Sequence, residues 1–509
     1  MSMEPIKHIV IVGGGTAGWM AAAGLAKSAG TQQRRITLIE SEEIGTVGVG
    51  ESTIPPIQLF NRLLGIDEDG FVRETNATFK LGIQFLDWRR VGHTYFHNFG
   101  LLGADLKTGI QFNHYWLRWL KSGGDPDQLR FSVEAEAARL GKFGRAEQTQ
   151  GGALPNVNYA FQFDASTYAA YLRRYCERRG VVRKEGKVVN VRQDGESGYI
   201  EAVDMADGST VAGDFFIDCT GFRGLLIEGI YKAGFEDWSH WLMNDRAAAV
   251  PAQRMAEPSP YTVARARGAG WQWRIPLQHR TGNGYVFSSE HISDDEAASQ
   301  LVESLEGTHL ADPKVLRFKA GRRKKSWVKN CMALGLSSGF LEPLESTSIH
   351  LIQVGVSKFL DYFPHHRPDQ FLIDRFNEEM SFQYETIRDF IIAHYKVTER
   401  EDTPYWAYCK NMSIPDSLAE KIELFRTRGE VKPKTSDLFS EVSWLAVLYG
   451  QGIVPEGYHP IADSMSEDDL ELTLARIRSA IKQRLNQLPS HKDFIASCCA
   501  ARMPASTAA

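Results

Sequence analysis

The sequence contains no run of apolar residues that approaches the roughly 20 residues a transmembrane helix needs. It also has no marked excess of one charge, since 58 lysines and arginines stand against 63 aspartates and glutamates. The basic run at 322–325 is interpreted as a solvated strand end rather than a binding patch. We therefore expect no membrane partner and no nucleic-acid partner.

Cysteine is scarce, with six residues in 509, and no pair has the C-x-x-C spacing. Because no cysteine is grouped with histidine as in a zinc site, we predict no metal and no disulfide framework. No secretion signal precedes the first predicted strand, and reduced cysteines fit a cytoplasmic location. Internal repeats are also missing, and residues 501–509 are predicted to form a disordered tail.

What the sequence does contain is a phosphate-binding motif near its start. Four β-branched residues at 9–12 predict a strand buried on both faces, followed by a G-x-G-x-x-G turn and an alanine-rich helix start. This spacing is typical of a turn that brings a pyrophosphate to a helix N-terminus, and an acid about 20 residues later can bind ribose hydroxyls. A glycine turn without a ligand is the alternative, and the combined pattern favours nucleotide binding. The predicted contacts are Gly13, Gly15, Thr16, Ala17, Gly18 and Glu40.

Two further stretches, at 215–224 and 331–349, each begin with an apolar run that predicts a buried strand and continue into small residues. Such elements are expected where a sheet returns to a bound nucleotide. The stretch at 44–56 would let the backbone lie against a flat ligand, and an ordinary connecting loop is its alternative. The cofactor contacts predicted from these regions and from a later strand are Val49, Gly50, Val188, Gly221 and Leu336.

Candidate chemical groups lie outside the nucleotide motif. Lys80 stands in an apolar setting where desolvation disfavours its charge, and on the residues alone a lysine that reaches back to solvent is favoured. His97 and Phe99 belong to an aromatic-rich stretch at 92–130, which is either core or the lining of an aromatic pocket. Glu345 stands beside three hydroxyl residues at a predicted helix start, where helix capping is the alternative to a chemical role.

The last third of the chain has helical spacing of its apolar residues. Ser466 and Asp469 have the spacing of a capping box. A long helix is therefore predicted to begin directly after Ser466.

Three motifs together resemble those of the flavin-dependent tryptophan halogenases: GGGTAGW at 13–19, W-x-W-x-I-P at 271–276, and GLSSGFLEPLESTSI at 335–349. The resemblance implies an α/β fold with an FAD-binding G-x-G-x-x-G module of the glutathione-reductase or hydroxylase type, mixed sheets, and a mostly helical C-terminal module. We expect the first module at 1–365, with an aromatic pocket insert near 85–160. The second, at 366–500, is expected to cover the substrate site.

The resemblance also implies a chemistry. In that family FADH2, supplied by a separate NAD(P)H-dependent flavin reductase, reacts with O2 and halide to give hypohalous acid, which travels to a lysine beside the substrate. Lys80 matches this lysine. Glu345 and Ser346 match further catalytic residues. The halide is expected at the backbone of Thr347 and Ser348, where serine replaces the family's glycine.

The substrate expected from the resemblance is a small aromatic molecule of the indole type. His97 and Phe99 look like the stacking residues of the family's indole pocket, to which Glu345 also belongs. Halogenases of free tryptophan carry a lid rich in tyrosine, phenylalanine and glutamate, whereas the matching segment at 438–452 is short and lacks adjacent tyrosines. We therefore expect indole, or an indole within a larger molecule, to be preferred over free tryptophan. Bromide is expected to be used more readily than chloride, because it is easier to oxidise and Ser348 alters the halide site.

Three alternatives stay open. One is a flavin-dependent aromatic hydroxylase that inserts oxygen, and another is a halogenase that acts on free tryptophan. The third is a flavin-binding protein that has lost its activity, although the presence of Lys80 and Glu345 argues against it. The sequence does not distinguish a monomer from a homodimer.

Overall fold

The computed structural model describes residues 5–31, 33–44, 50–145 and 157–502. The chain forms two compact units, each assembled from three stretches of sequence. The first unit comprises Met1–Asn76, Phe163–Asp245 and Arg317–Glu385, and the second comprises Ala77–Gln162, Arg246–Leu316 and Thr386–Ala509. The modules predicted at 1–365 and 366–500 follow sequence order instead, and they stay a prediction.

Helices and strands alternate through the first two thirds of the chain, and helices dominate the last third. The helices are α1 (Thr16–Leu25), α2 (Pro56–Leu64), α3 (Glu68–Glu74), α4 (Phe112–Lys121), α5 (Val133–Arg139), α6 (Ala165–Glu177), α7 (Asp294–Glu303), α8 (Ser348–Asp361), α9 (Gln370–Lys396), α10 (Pro404–Asn411), α11 (Asp416–Arg428), α12 (Glu441–Gly450), α13 (Glu467–Gln487) and α14 (His491–Cys498). The strands are β1 (His8–Val12), β2 (Arg35–Glu40), β3 (Gly50–Ser52), β4 (Thr78–Lys80), β5 (Gly82–Leu86), β6 (Thr94–Asn98), β7 (Ala160–Asp164), β8 (Val182–Glu185), β9 (Val188–Gln193), β10 (Ile200–Met205), β11 (Thr210–Ala212), β12 (Phe215–Asp218), β13 (Phe235–Asp237), β14 (Arg246–Ala252), β15 (Thr262–Arg267), β16 (Gly270–Pro276), β17 (Thr281–Phe287), β18 (Lys314–Arg317), β19 (Gly321–Arg323), β20 (Trp327–Val328), β21 (Cys331–Ala333) and β22 (Gly339–Phe340).

The first unit is organised around a six-stranded sheet in the order β20-β21-β12-β1-β2-β8. From β21 to β8 the strands run parallel, and β1 lies between β12 and β2 with Ile9 opposite both Phe215 and Ile36. Residues 9–12 are at most 4% exposed, which is the burial on both faces that a run of β-branched residues predicts. The same unit also contains two three-stranded sheets, β11-β10-β9 and β13-β19-β22.

The second unit contains a seven-stranded sheet in the order β18-β14-β17-β16-β15-β5-β6. From β14 to β6 the neighbouring strands pair antiparallel, except that β15 and β5 pair in parallel. The W-x-W motif lies on β16, where Trp271 and Trp273 are both buried. The short strand β4 pairs antiparallel with β7, and this pairing positions Lys80 opposite Ala160.

The helical character predicted for the last third of the chain is confirmed from α9 onward. The helix start predicted after Ser466 is also confirmed, since its hydroxyl accepts a hydrogen bond from the Asp469 N–H at 3.1 Å and α13 begins at Glu467. Within the described part of the chain, each helix is too short or too polar to span a lipid bilayer. The predicted tail at 501–509 lies mostly outside the described residues, which end at residue 502.

Candidate active site

The glycine turn joins three parallel strands of the first unit at their carboxyl ends. Gly13 follows β1 directly with φ of 112°, and its N–H donates to the Ile39 carbonyl of β2 at 2.8 Å. A side chain at Gly13 would overlap the carbonyl oxygen of Cys219, which follows β12. Both the left-handed conformation and this close approach therefore require glycine.

Helix α1 begins next to open space. Gly15 is its N-cap, no side chain caps the helix, and a Cβ at Gly15 would meet nothing within 4 Å. A Cβ at Gly18 would instead overlap the Gly13 carbonyl, so the third glycine allows close packing of helix on strand. The first N–H groups of α1, including those of Thr16 and Ala17, lack intrahelical partners and are available to an anionic ligand.

Glu40 ends β2 beside this turn. Its carboxylate accepts a hydrogen bond from the Trp19 indole N–H at 3.2 Å, forms an ion pair with Arg183, and lies 3.5 Å from Arg173. A side chain at Gly14 would overlap the Glu40 carboxylate. The acid therefore faces the turn, held by three side chains.

Two other predicted elements converge on the start of α1. The Ser337 hydroxyl donates to the Gly221 carbonyl at 3.0 Å, which ties the turn after β12 to the turn Gly335–Ser337 that contains Leu336. A Cβ at Gly335 would lie 2.8 Å from that of Ala17. The backbone therefore forms a cradle lined by small residues, and its open face, free N–H groups and acid suit a dinucleotide such as FAD.

Three further predicted cofactor contacts are less closely tied to this cradle. Val188 begins β9, two residues after Gly186, whose N–H donates to the Glu40 carbonyl at 2.8 Å. Gly50 is buried at the start of β3. Val49 lies outside the described residues.

Glu345 lies in the 3₁₀ turn Pro343–Glu345 of the first unit and is fully buried. Ser346 follows with φ of 59°, a conformation that costs a residue with a side chain on the order of 1–3 kcal/mol. Thr347 is the N-cap of α8, and its hydroxyl oxygen is buried without a hydrogen-bond partner among the described residues. The helix begins at Ser348, so the N–H groups that are predicted to bind halide lie at a helix N-terminus.

Lys80 is fully buried, so the expectation that it reaches back to solvent is wrong. It ends β4 in the second unit, and its ammonium lies 5.0 Å from the centroid of the Phe99 ring. Phe99 is held there by its N–H, which donates to the Leu81 carbonyl at 3.0 Å. A cation over an aromatic face gains about 2 kcal/mol when desolvated, which offsets part of the cost of burial.

An aromatic cluster extends from Phe99 into the helical part of the second unit. His97 lies 6.2 Å from Phe99 and 5.6 Å from Phe390 of α9, measured between ring centroids. Phe390 stacks on Phe439 at 3.8 Å and meets Trp444 of α12 edge-on at 4.9 Å. The segment at 438–452 thus contributes rings to the surroundings of His97.

Comparison with known proteins decides the family. The sequence profile described as tryptophan halogenase matches residues 8–467. The chain therefore belongs to the tryptophan halogenase family. It is 35% identical to tryptophan 7-halogenase RebH of Lentzea aerocolonigenes, over 96% of this chain and 98% of that protein.

Two solved structures are also similar. The flavin-dependent halogenase Xcc4156 from Xanthomonas campestris has a TM-score of 0.95 and 47% identity, covering 98% of this chain and 100% of that one. BrvH from Brevundimonas sp. BAL3 has a TM-score of 0.93 and 43% identity, covering 97% and 99%. The predicted resemblance, α/β fold and enzyme class are confirmed: the chain is a flavin-dependent halogenase that uses FAD as FADH2.

The halogenase contains a charged cavity of about 340 Å³ in its second unit. Its ionisable lining residues are His114, Arg428, Glu430, Lys432, Glu441 and His459. Arg428 and Lys432 both pair with Glu430, at 3.1 and 2.9 Å. Burial raises the pKa of Glu441 to about 7, and the neighbouring Glu430 carboxylate adds to the shift. Glu441 is therefore poised between its neutral and ionised forms at neutral pH.

Sequence reasoning missed several residues of this halogenase. Phe390, Phe439 and Trp444 join the ring cluster of His97, and helical spacing places Phe390 only on a core face. A signal for Phe439 and Trp444 lies in the segment at 438–452, which retains these two aromatic residues although it lacks adjacent tyrosines.

Proposed function

We propose that this halogenase transfers an electrophilic chlorine or bromine to the ring of an indole-type substrate, and that Lys80 presents the halogen. The observation that carries this proposal is the complete burial of the Lys80 ammonium 5.0 Å from the Phe99 ring. Withdrawing an ammonium from water is costly, and a purely structural role on a strand needs no such group. Burial beside aromatic rings supports a chemical role.

The cofactor would be held by the cradle of the first unit, with the pyrophosphate at the α1 N-terminus and Glu40 toward a ribose. The chemistry that FADH2 supplies when bound is the reduction of O2 coupled to oxidation of halide to hypohalous acid. The sequence has one G-x-G-x-x-G motif and no second one for NAD(P)H, which supports a separate flavin reductase as the source of FADH2. Halide would be bound by the backbone N–H groups of Thr347 and Ser348.

Lys80 can present the halogen in two ways. Its N–H can donate a hydrogen bond to the oxygen of hypohalous acid, or its amine can become a haloamine with release of water. In the first case the halogen stays on the oxygen next to Nζ, and in the second it is bonded to Nζ. Either way it would lie near the Phe99 ring, on which a flat substrate could stack. Buried surroundings also keep water from consuming the oxidant.

A base is needed when the halogenated ring loses its proton. Glu345 is proposed for this role because a carboxylate can stabilise the cationic ring and accept the proton. Its complete burial in the first unit would strengthen both effects, since charges interact more strongly away from water. Ser346, the next residue in the chain, is proposed as a further catalytic residue beside Glu345.

The substrate is proposed to be indole, or an indole within a larger molecule, rather than free tryptophan. Free tryptophan needs partners for its ammonium and its carboxylate, and the segment at 438–452 offers Glu441 as its one ionisable acid. Because the pKa of Glu441 is about 7, only part of the molecules carry a negative charge on Glu441 at neutral pH, so it would pair incompletely with the tryptophan ammonium. In the charged cavity, Arg428 and Lys432 are already paired with Glu430. Bromide is proposed to react more readily than chloride because it is easier to oxidise.

The test is a product assay with FAD, NADH and a flavin reductase, supplied with indole, tryptophan or larger indoles. Each substrate is tested with bromide, with chloride and without halide, and products are analysed by mass spectrometry. We expect halogenated indole that depends on added halide, with a greater yield from indole than from tryptophan at equal concentration.

Other outcomes identify the alternatives. An oxygen-inserted product without halide would indicate a hydroxylase. A clear preference for tryptophan would show that the segment at 438–452 does not exclude the free amino acid. Oxidation of FADH2 without any product across the panel would contradict halogenation of indoles.

A further inference from the structure

The strand that carries Lys80, β4, is short. One of its edges pairs with a neighbouring strand, and the other is held by separate hydrogen bonds. β4 pairs with β7 along one edge, with Phe79 opposite Phe161. Along the other edge, the Leu81 N–H donates to the Pro260 carbonyl at 2.8 Å. A three-residue strand makes few ladder hydrogen bonds, so the position of the Lys80 backbone depends on this second edge.

The register along that edge is interrupted by an imidazole. β5 and β15 pair in parallel with Ile83 opposite Thr262, and extending this register back by four residues places Phe79 opposite Pro258. The ring of His491, from the start of α14, lies between these two backbone groups. It occupies the place of a direct N–H to carbonyl contact.

Both ring nitrogens of His491 are engaged. The Phe79 N–H donates to Nε2 at 3.1 Å, and Nδ1 donates to the Pro258 carbonyl at 2.8 Å. Because an amide N–H can only donate and a carbonyl can only accept, the ring is neutral with its proton on Nδ1. Burial lowers the pKa of His491 to about 4, so this tautomer persists at neutral pH.

Helix α14 is itself firmly placed against the same strand. The His491 N–H donates to the Gly141 carbonyl at 2.9 Å. The Phe494 ring meets the Phe79 ring edge-on at 5.4 Å, and Phe143 stacks on Phe79 at 4.2 Å. His491 therefore joins a rigid aromatic contact to the backbone beside Lys80. It lies beyond residues 8–467, which the family profile matches.

We propose that His491 is a positioning residue for Lys80: its imidazole bridges Pro258 and Phe79 and so fixes the backbone from which the Lys80 side chain extends. The inference rests on the proposed role of Lys80 in presenting the halogen. A misplacement of about 1 Å at a reacting group can cost about 10²-fold in rate. Loss of the bridge would therefore leave the formation of hypohalous acid unchanged, but more of it would escape before it reacts with the substrate.

The test compares three variants of the full-length enzyme. His491→Phe keeps the ring volume and removes both hydrogen bonds, whereas His491→Gln retains one donor and one acceptor. Ser490→Ala is the matched control, because it removes the side-chain cap of α14 and leaves the imidazole contacts in place. The measurements are halogenated product per FADH2 oxidised, hypohalous acid trapped in solution, and the ¹⁵N NMR signals of the imidazole.

We expect His491→Phe to lower product per FADH2 oxidised by about tenfold to 10²-fold, with FADH2 oxidation unchanged and more oxidant trapped. His491→Gln should recover most of the yield, and Ser490→Ala should retain it. The wild-type ring should show one protonated and one unprotonated nitrogen. Equal losses in His491→Phe and Ser490→Ala, an unchanged yield in His491→Phe, or a doubly protonated ring at neutral pH would each overturn the proposal.

Lys80→Ala in the same assay separates the two hypotheses. If it retains product, the proposed role of Lys80 fails, while the NMR signals still report whether His491 forms the bridge. If it loses product and His491→Phe does not, the positioning role alone fails.

Discussion

The two compact units build their candidate sites from different kinds of groups, one mainly from backbone and the other from side chains. Around the proposed FAD position the first unit uses mainly backbone: a left-handed glycine, a helix N-terminus that no side chain caps, and turns rich in small residues. The second uses side chains, with a buried lysine, stacked rings and a bridging histidine. The difference teaches that binding a nucleotide common to many enzymes can be left to backbone geometry, whereas directing a reactive halogen requires particular side chains.

This contrast predicts different consequences of mutation. A change in the second unit should leave the folded enzyme able to bind and oxidise FADH2 while product is lost. A change in the glycine turn or at Glu40 of the first unit should weaken cofactor binding or folding, whereas a change at Glu345 of the same unit should slow turnover. The variants that follow are arranged from the largest expected effect to the smallest.

Lys80→Ala removes the proposed halogen carrier. We expect halogenated product to fall by more than about 10⁴-fold, the upper end for a lost proton-transfer group, while FADH2 oxidation and peroxide release continue. The measurement is product and peroxide per FADH2 oxidised. Lys121→Ala, which changes an exposed lysine of the same unit, should behave as wild type. A Lys80→Ala enzyme with normal yield contradicts the role.

Glu345→Gln replaces the proposed base with an amide of nearly the same shape. We expect turnover to slow by about 10²–10⁴-fold with little change in substrate KM, because proton removal is affected rather than binding. Single-turnover kinetics with FADH2 measure the effect. Glu342→Gln is the matched control, since Glu342 is an equally buried carboxylate of the same loop that accepts a hydrogen bond from Asn244 at 3.0 Å. Equal effects of both changes would argue against a base at Glu345.

Gly13→Ala and Gly15→Ala separate folding from cofactor binding within the first unit. At Gly13 a side chain meets the Cys219 carbonyl in a left-handed conformation, so we expect a loss of about 1–3 kcal/mol in the free energy of unfolding. At Gly15 the space is open, so stability should be kept while FAD affinity falls. Thermal unfolding of the apoenzyme and FAD titration measure the two effects. Similar stability losses in both variants would contradict an open cradle.

Glu40→Ala tests the proposed ribose contact. We expect FAD binding to weaken by about 1–3 kcal/mol, the usual contribution of a hydrogen bond to a charged group. Glu42→Ala is the control, since Glu42 also pairs with Arg183 but lies on the exposed surface. FAD titration should show no change for the control. Unaltered affinity in Glu40→Ala would remove the ribose assignment.

Glu441→Gln tests how the second unit discriminates substrate charge. The pKa of Glu441 is about 7, so the carboxyl is mostly neutral below pH 7 and mostly ionised above it. As pH rises from 6 to 8, the preference for an indole with an ammonium side chain over indole itself should therefore increase. The expected increase is up to about fivefold, or about 1 kcal/mol. Competition between tryptamine and indole at each pH measures the ratio. The pH dependence should disappear in Glu441→Gln, and a slope retained there would assign it to another group.

Much of the fold could be predicted from local pattern. The strand at 9–12, the glycine turn, the acid ending β2 and the cap at Ser466 each depend on residues close together in sequence, and each element is where it was expected. The surroundings of Lys80 could not be predicted in this way. A lysine in an apolar stretch is compatible with snorkelling or with burial, and only packing against Phe99 and the pairing of β4 with β7 decide for burial.

By itself, the sequence determined the family, the nucleotide-binding element and the identity of the lysine and glutamate proposed for chemistry, because glycine spacing and short motifs are local constraints. Only the tertiary structure decided which distant residues meet beside the Lys80 strand and around His97. His491 lies 412 positions from Phe79, and Phe390 of α9 packs against Phe439 and Trp444 of the later segment at 438–452. Contacts across such separations depend on how sheets and helices pack, since no local preference of the backbone encodes which side chains meet.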